Sequence, residues 1–479
     1  MSDQVSNSAV SMIAHTPPRS RWRPWRVVRR GVAGAALAIA ALVGVHYIRE
    51  YLAEREVQAA LAEADRVDPG WRFEDLEASR AEIPTGENSE VYVTKAGGAG
   101  ITLLNMGTNR KDLGDATLAL DLLAPRDRLT KRQTEALRAA LKPLAGPLAD
   151  GRKLADLPKG RYPFDTSPAI NFPVVKIDHA SITRWLLRSE ALLLIEEGES
   201  VEAWWGTRGI LNIGRSFGDE PLAISQNQRL HHAAWACRLM ERVLAQGSVS
   251  DAELAATMRL LQEELQHPAL LIALRGIRAH WHSSLAQVEA GKISLGELKL
   301  GADRTYGVPG FNDELQGYFL NRQVKPAHAW LLRYSTQAVE VAKRDSPDTE
   351  SALIKLEATI ADAPPLAQKL ARQYQWLRFQ PPCRARIGCA HVGLAAERYR
   401  LKHDQWPTTL GELVAAGLLD EVPTDPFDGQ PLRYRTTKDG IAIYAVGPNG
   451  AGKGDALDGD IKELKDDRLE FRLWNPEKR

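Results

Sequence analysis

An abrupt change of character at Gly31 constrains this chain more than any other feature. Residues 1–30 carry six arginines (Arg19, Arg21, Arg23, Arg26, Arg29 and Arg30) against one acid, Asp3. Gly31 to Ile48 then reads GVAGAALAIAALVGVHYI, 18 residues without an Asp, Glu, Lys or Arg. A helix needs about 20 mostly apolar residues to cross a hydrocarbon core, where each backbone polar group must be satisfied within the segment. The run therefore predicts one transmembrane helix at 31–48, preceded by a basic cytoplasmic tail at 1–30. A cleaved signal peptide or a buried core helix would read similarly, but no persuasive cleavage site follows. Arginines concentrate on the cytoplasmic side of membrane spans, and Trp22 and Trp25 suit the headgroup region. The bulk of the chain is thus expected in the periplasm of a bacterium, with His46 interfacial at the outer end of the span.

Charge and cysteine content exclude several classes of function. Across 479 residues, 62 Lys and Arg nearly cancel 61 Asp and Glu, so the net charge is +1 and no global field recruits nucleic acid. The three cysteines, Cys237, Cys383 and Cys389, are too few for a disulfide framework and too scattered for a four-ligand zinc cage. Cys383 and Cys389 could be bridged only if the residues between them were not helical throughout, so two free or buried thiols are the preferred reading.

Beyond the span, Arg49 to Arg66 keeps apolar residues at helical spacing and predicts a short amphipathic extension ending at Asp68-Pro69-Gly70. The stretch from Trp71 to Phe172 is mixed, with a strand at Val91 to Thr94 and a helix at Thr130 to Leu148. Helical periodicity dominates from Ile177 to Leu377. Helices are predicted at Ile182–Glu197, Leu222–Gln246, Asp251–Leu265, Pro268–Ala290, Pro326–Lys343 and Ser351–Phe379, with a glycine-rich loop from Gly291 to Phe311. Short connections favour antiparallel neighbours, hence a bundle or an array of helical hairpins. Ser250 with Glu253 three residues later reads as a capping box. The tryptophans of this region, including Trp204, Trp235 and Trp281, fall mostly within helical patterns and read as core.

Several short motifs resemble catalytic or ligand sites. Gly447 to Gly454, with Lys453, is one residue from a phosphate-binding loop. Gly454 replaces the Mg²⁺-binding hydroxyl, and Asp455, Asp458 and Asp460 follow where phosphates require a helix N-terminus, so no nucleotide is expected. Gly214-Arg215-Ser216-Phe217-Gly218 matches the nucleophile elbow, fed by a short strand at Leu211 to Ile213. The turn Gly218-Asp219-Glu220-Pro221 stands where the elbow needs a helix, which leaves an envelope serine hydrolase at Ser216 as the alternative function. Glu264-x-x-His267 has the spacing of a carboxylate-bridged metal pair, but only one such pair occurs. Pro268 directly after it favours a helix end with an interacting histidine. His231 and His232 extend the loose histidine cluster, and His280 and His282 lie two apart on different helix faces, so no histidine metal site is expected.

The last hundred residues carry the most information. A helix from Arg384 to Lys402 and a short one from Leu410 to Leu418 precede two alternating strands, Leu432–Thr436 and Ile441–Val446, joined at Lys438-Asp439-Gly440 as a hairpin. Leu469 to Leu473 closes the sheet. Tyr399-Arg-Leu, Trp406-Pro-Thr-Thr409, Asp425-Pro-Phe, Gly429-Gln-Pro-Leu-Arg-Tyr434, Ile443-Tyr-Ala-Val-Gly447, Asn449-Gly450 and Asp460-Ile461 follow one another. In that order and near that spacing they resemble the C-terminal region of the type II secretion major pseudopilin, protein G of the general secretion pathway. The resemblance covers roughly 80 residues. It implies a structural calcium ion in the loop after the last hairpin, with Asp455 and Asp460 as leading ligands and Asp458 and Asn449 as further ones. Independently, three carboxylates within six residues on a glycine-containing loop suit a hard cation that takes 6–8 oxygens. A solvated acidic loop, partly neutralised by Lys453 and Lys462, is the other reading. The chain departs from the family where Arg30-Gly31 precedes Val32-Ala-Gly-Ala-Ala36 with no glutamate, and where more than 300 residues separate span and module.

The expected fold is mainly α: a single transmembrane helix at 31–48, a juxtamembrane helix and mixed segment at 49–172, a periplasmic helical bundle or hairpin array at 173–380, and a small C-terminal α+β pseudopilin-like domain with an antiparallel sheet at 381–479. The expected function is a membrane-anchored periplasmic interaction or structural protein, held in the inner membrane and partnered by envelope proteins, without a catalytic constellation.

Overall fold

The computed structural model describes residues 24–106, 123–164, 174–295, 322–344, 348–371, 380–448 and 469–479, with the isolated positions 120, 346, 377 and 378. The chain is mainly helical, with one small antiparallel sheet, and divides into two compact units, Met1–Arg55 and Glu56–Arg479. The first helix, Pro24–Val67, is continuous through the predicted span and its extension. Its Val28–Val67 portion is the one helix among the described residues long and apolar enough to cross a membrane. Leu37 is 73% and Leu42 70% exposed to solvent, as befits side chains suited to lipid. The helix ends where Asp68 N donates to Ala64 O and Gly70 takes φ +74°, a left-handed turn that glycine adopts without strain.

Most helices of the second unit follow the apolar periodicity: Val174–Glu197, Ala223–Gln246, Asp251–Gln266, Ala269–Glu289 and Val324–Lys343. Ser250 Oγ accepts from Glu253 N at 3.3 Å, and Thr130 with Gln133 forms a reciprocal capping box ahead of Lys131–Leu141. Neighbouring helices pair in sequence order, Val174–Glu197 with Ser200–Arg215 and that one with Ala223–Gln246.

Three expectations are corrected. Val91 to Thr94 is not a strand but lies within the helix Ser89–Met106. The β-branched preference of Val-Tyr-Val-Thr is overridden because Gly97 lets this helix press against Val174–Glu197, where a Cβ would come 2.4 Å from His179 Cα. Leu211 to Ile213 is likewise helical, inside Ser200–Arg215, with all three side chains buried or nearly so. Ser351 to Phe379 is not one helix: Thr349–Ala358, a 3₁₀ turn at Thr359–Asp362 and Pro365–Leu370 are separate, because Pro364-Pro365 supplies no amide to carry the ladder through.

One continuous core runs from Val93 through the central helices to Phe471 and Leu473 of the sheet. The helix Gln380–His403, buried from Gln380 to Glu397 with only Arg384 part-exposed, packs on Asp251–Gln266 and Ala223–Gln246 and also carries the sheet. A second core joins Ala269–Glu289, Val324–Lys343 and Pro365–Leu370. In a third, Val57, Ala60 and Ala64 meet Trp71, Ala279 and Leu332.

Candidate functional site

The C-terminal sheet is built from β1 (Arg433–Thr437), β2 (Gly440–Tyr444) and β3 (Glu470–Trp474) in the order β1-β2-β3, both pairs antiparallel. Ile441, Ile443, Phe471 and Leu473 alternate onto the buried face. Phe471 sits so closely on Gly393 that a Cβ there would lie 2.4 Å from its ring.

The chain leaves this sheet at Gly447 and returns at Leu469, and the stem of that excursion is held at one carboxylate. Asp425 is fully buried and accepts from Phe427 N at 3.0 Å, Val446 N at 2.7 Å and Arg433 Nη1 at 2.6 Å. The first of these closes the turn over Asp425-Pro426-Phe427 through the aspartate side chain. The second ties the exit of β2 to that turn, while Ala445 N donates to Leu469 O at 2.9 Å across the stem. Gly447 takes φ +74°, a left-handed conformation that glycine adopts without strain. The expected calcium ligands Asn449, Asp455, Asp458 and Asp460, and Lys453 of the phosphate-loop match, lie outside the described residues. Among the described residues, no group of three or more His, Cys, Asp or Glu side chains converges on a metal position. Asp425 was visible in the sequence only as part of the pseudopilin-like pattern, and the Asp-Pro dipeptide was its only local signal.

Ser216 caps the C-terminal end of Ser200–Arg215 with right-handed helical φ and ψ. Its side chain is fully buried and its Oγ donates to Ile213 O at 2.6 Å. A nucleophile elbow instead projects its serine on a strained turn between strand and helix. The adjoining Arg215 and Arg229 clamp Glu264: Arg215 Nη1 lies 2.9 Å from Oε1, Arg229 Nη2 2.6 Å from Oε1 and Arg229 Nε 2.9 Å from Oε2. Burial pushes the Glu264 carboxyl up, but the two guanidiniums outweigh it and hold it below its ordinary value. Both oxygens that a metal would need are therefore occupied by arginine. His267 bonds Gln226 Oε1 at 2.9 Å from the end of its helix, and burial brings it down to about 3.

The three cysteines are free and buried, and burial pushes the Cys237 and Cys383 thiols up to about 12. They are unreactive as nucleophiles in that environment. Asp68, which reads in the sequence as a helix stop, sits at the centre of a polar cluster. Its carboxylate meets Arg275, Arg278 and Lys343.

Comparison with known proteins adds no relative: no family model, no curated protein and no solved structure matches the chain.

Proposed function

We propose that this chain is a single-pass protein of the bacterial inner membrane, with a cytoplasmic arginine-rich tail and a periplasmic body. In this reading it works by binding envelope proteins through a pseudopilin-like C-terminal module, whose loop at 449–468 is stabilised by Ca²⁺. The observation that carries the reading is the stem at Asp425. A buried carboxylate is spent on holding a turn, a strand exit and Arg433 together, which is the construction expected where a projecting loop must start from a rigid base. The buried polar groups near Ser216 support the same reading, since the serine hydroxyl and the Glu264 carboxylate are consumed by internal bonds.

The test is a photo-crosslinking scan of the full chain in intact cells, with a crosslinking amino acid placed singly at exposed positions of the C-terminal module and, for contrast, on the exposed face of Lys131–Leu141. Discrete adducts with envelope proteins from module positions are expected. Adducts with none of these positions, or equal adducts from both regions, overturn it.

A further inference from the structure

The two edges of the C-terminal sheet are finished differently. On β3, the Arg472 amide faces away from β2 and is taken by Glu241 Oε1 at 3.1 Å, so a side chain of the central helix caps that edge. On β1 the cover that the described residues give the outer edge lies at its start, where Leu432 N donates to Pro423 O at 2.9 Å. Backbone groups alternate sides along a strand, so Tyr434 and Thr436 turn their amides and carbonyls to that same outer side. Neither amide has a partner among the described residues, and Arg435 and Thr436 are exposed. Unpaired strand edges are templates for another strand, and proteins usually cover them or blunt them.

We infer that β1 is a docking edge for an extended acidic segment of a protein partner, which adds as a fourth strand through Tyr434 and Thr436. The inference rests on the interaction reading above and specifies its surface.

Charge chooses the occupant. From Leu432 to Lys438 the edge carries Arg433, Arg435 and Lys438 and no acid. The acids that hold these guanidiniums along the strand are Asp425, fully buried, and Glu470, nearly so, with Asp428 at the rim of the turn. Glu470 pairs with both Arg435 and Arg472, whereas Arg433 is held by two carboxylates, so exposed Arg435 and Lys438 supply the positive charge that the edge presents. Arg433 and Arg435 point to the same face, so a strand laid beside β1 meets them with acids two residues apart, whichever way it runs. A second copy of this chain fits poorly. The antiparallel register that uses Tyr434 and Thr436 of both copies sets Arg435 directly against the Arg435 of the second copy, and like charges so placed repel.

The test uses the full chain in detergent micelles and two capped fluorescent peptides, GTEVETG and its counterpart GTKVKTG. Binding is read by anisotropy, and protection of single amides by hydrogen exchange. The expected result is binding of the glutamate peptide alone, with slowed exchange at Tyr434 and Thr436 and no new protection at Arg472. Thr436→Pro removes an outward amide that the β1–β2 ladder does not use, so it should preserve the fold and weaken binding about tenfold or more. Arg435→Gln should weaken it with the backbone edge intact, which keeps the idea testable if the proline variant unfolds. Equal binding of both peptides, protection elsewhere, no binding, or an edge-dependent dimer of the chain would each overturn the inference. Failure here together with crosslinks from other module positions leaves the interaction reading standing, whereas a module without any crosslinks removes that reading itself.

Discussion

Asp68 and Arg278 lie 210 positions apart and meet as a buried ion pair, with Arg278 fully enclosed. The same carboxylate accepts from Arg275 Nε at 3.0 Å and pairs with Lys343 Nζ at 3.0 Å. The residue that ends the first helix is thus the point at which two later helices are joined to it. Arg278 and Arg72 also flank Trp71, at 4.9 and 4.8 Å from its ring.

Asp68→Asn should therefore be severe. It keeps the shape but removes the charge that Arg278 pairs with, and breaking one side of a buried pair costs about 3–5 kcal/mol. Urea denaturation of the full chain in micelles reads this directly, and a loss below about 1 kcal/mol would show that the cluster is dispensable. The pH dependence has a definite sign. Burial raises the Asp68 carboxyl, but hydrogen bonds from Arg275 and Lys343 and the charge on Arg278 bring it down to about 2, from 3.8. Its contribution is complete above 3.8 and disappears as the pH falls toward 2.

Moderate acid should act earlier, through histidine. Burial holds His280 and His391 down at about 4 and His232 at about 3, against 6.5 for a free imidazole. The folded chain keeps these rings neutral while the unfolded chain protonates them. Stability is therefore full above pH 6.5 and falls below it, until the folded-state values are reached. Each such histidine costs about 1.4 kcal/mol per pH unit, so several together exhaust an ordinary stability of about 5–15 kcal/mol within roughly two units. Circular dichroism melts between pH 7 and 4 should show a steep decline, flattened by about one proton's worth in His391→Gln. A flat profile over that range would mean that the rings are hydrated.

The calcium assignment is best tested on the whole chain, because Gln380–His403 belongs to the common core and a fragment starting there would expose it. An ion at 100 times its Kd adds about 2.7 kcal/mol. Ca²⁺ should raise the melting temperature by a few degrees relative to chelator, and Asp455→Ala/Asp460→Ala should abolish the difference. Equal melting of the parent chain with Ca²⁺ and with chelator would reduce the loop to a solvated acidic one.

Long helices were legible because their signal is local. Ala223–Gln246 and Asp251–Gln266 begin and end within a residue or two of the positions that periodicity and capping indicate. The hairpin was legible for the same reason, with Thr437 opposite Gly440 across Lys438-Asp439. Ser200–Arg215 was missed because Leu211 to Ile213 read as a short strand feeding the Gly214-to-Gly218 motif, and because Gly206, Gly209 and Gly214 are poor helix formers. In the fold they are contact points: a Cβ on Gly209 would come 2.7 Å from Leu187 Cδ1, and one on Gly214 2.5 Å from Arg229 O. The elbow motif at Ser216 was a by-product of those packing glycines.

What the sequence determined by itself was whatever a short window can encode: the apolar first helix, the helix starts, the hairpin of β1 and β2, and the acidic composition of residues 449–468. Only the tertiary structure decided which charges share a site. Asp68 finds Arg278, Glu264 finds Arg215 and Arg229, and Asp425 finds Val446 across distances in sequence that no periodicity spans. It also decided that the β3 edge is capped by Glu241 and that, among the described residues, the outward amides of Tyr434 and Thr436 on β1 have no partner. The physical reason is that propensity and patterning act over a few residues. The pairing of buried charges and the covering of an edge depend instead on where the packed helices carry each side chain.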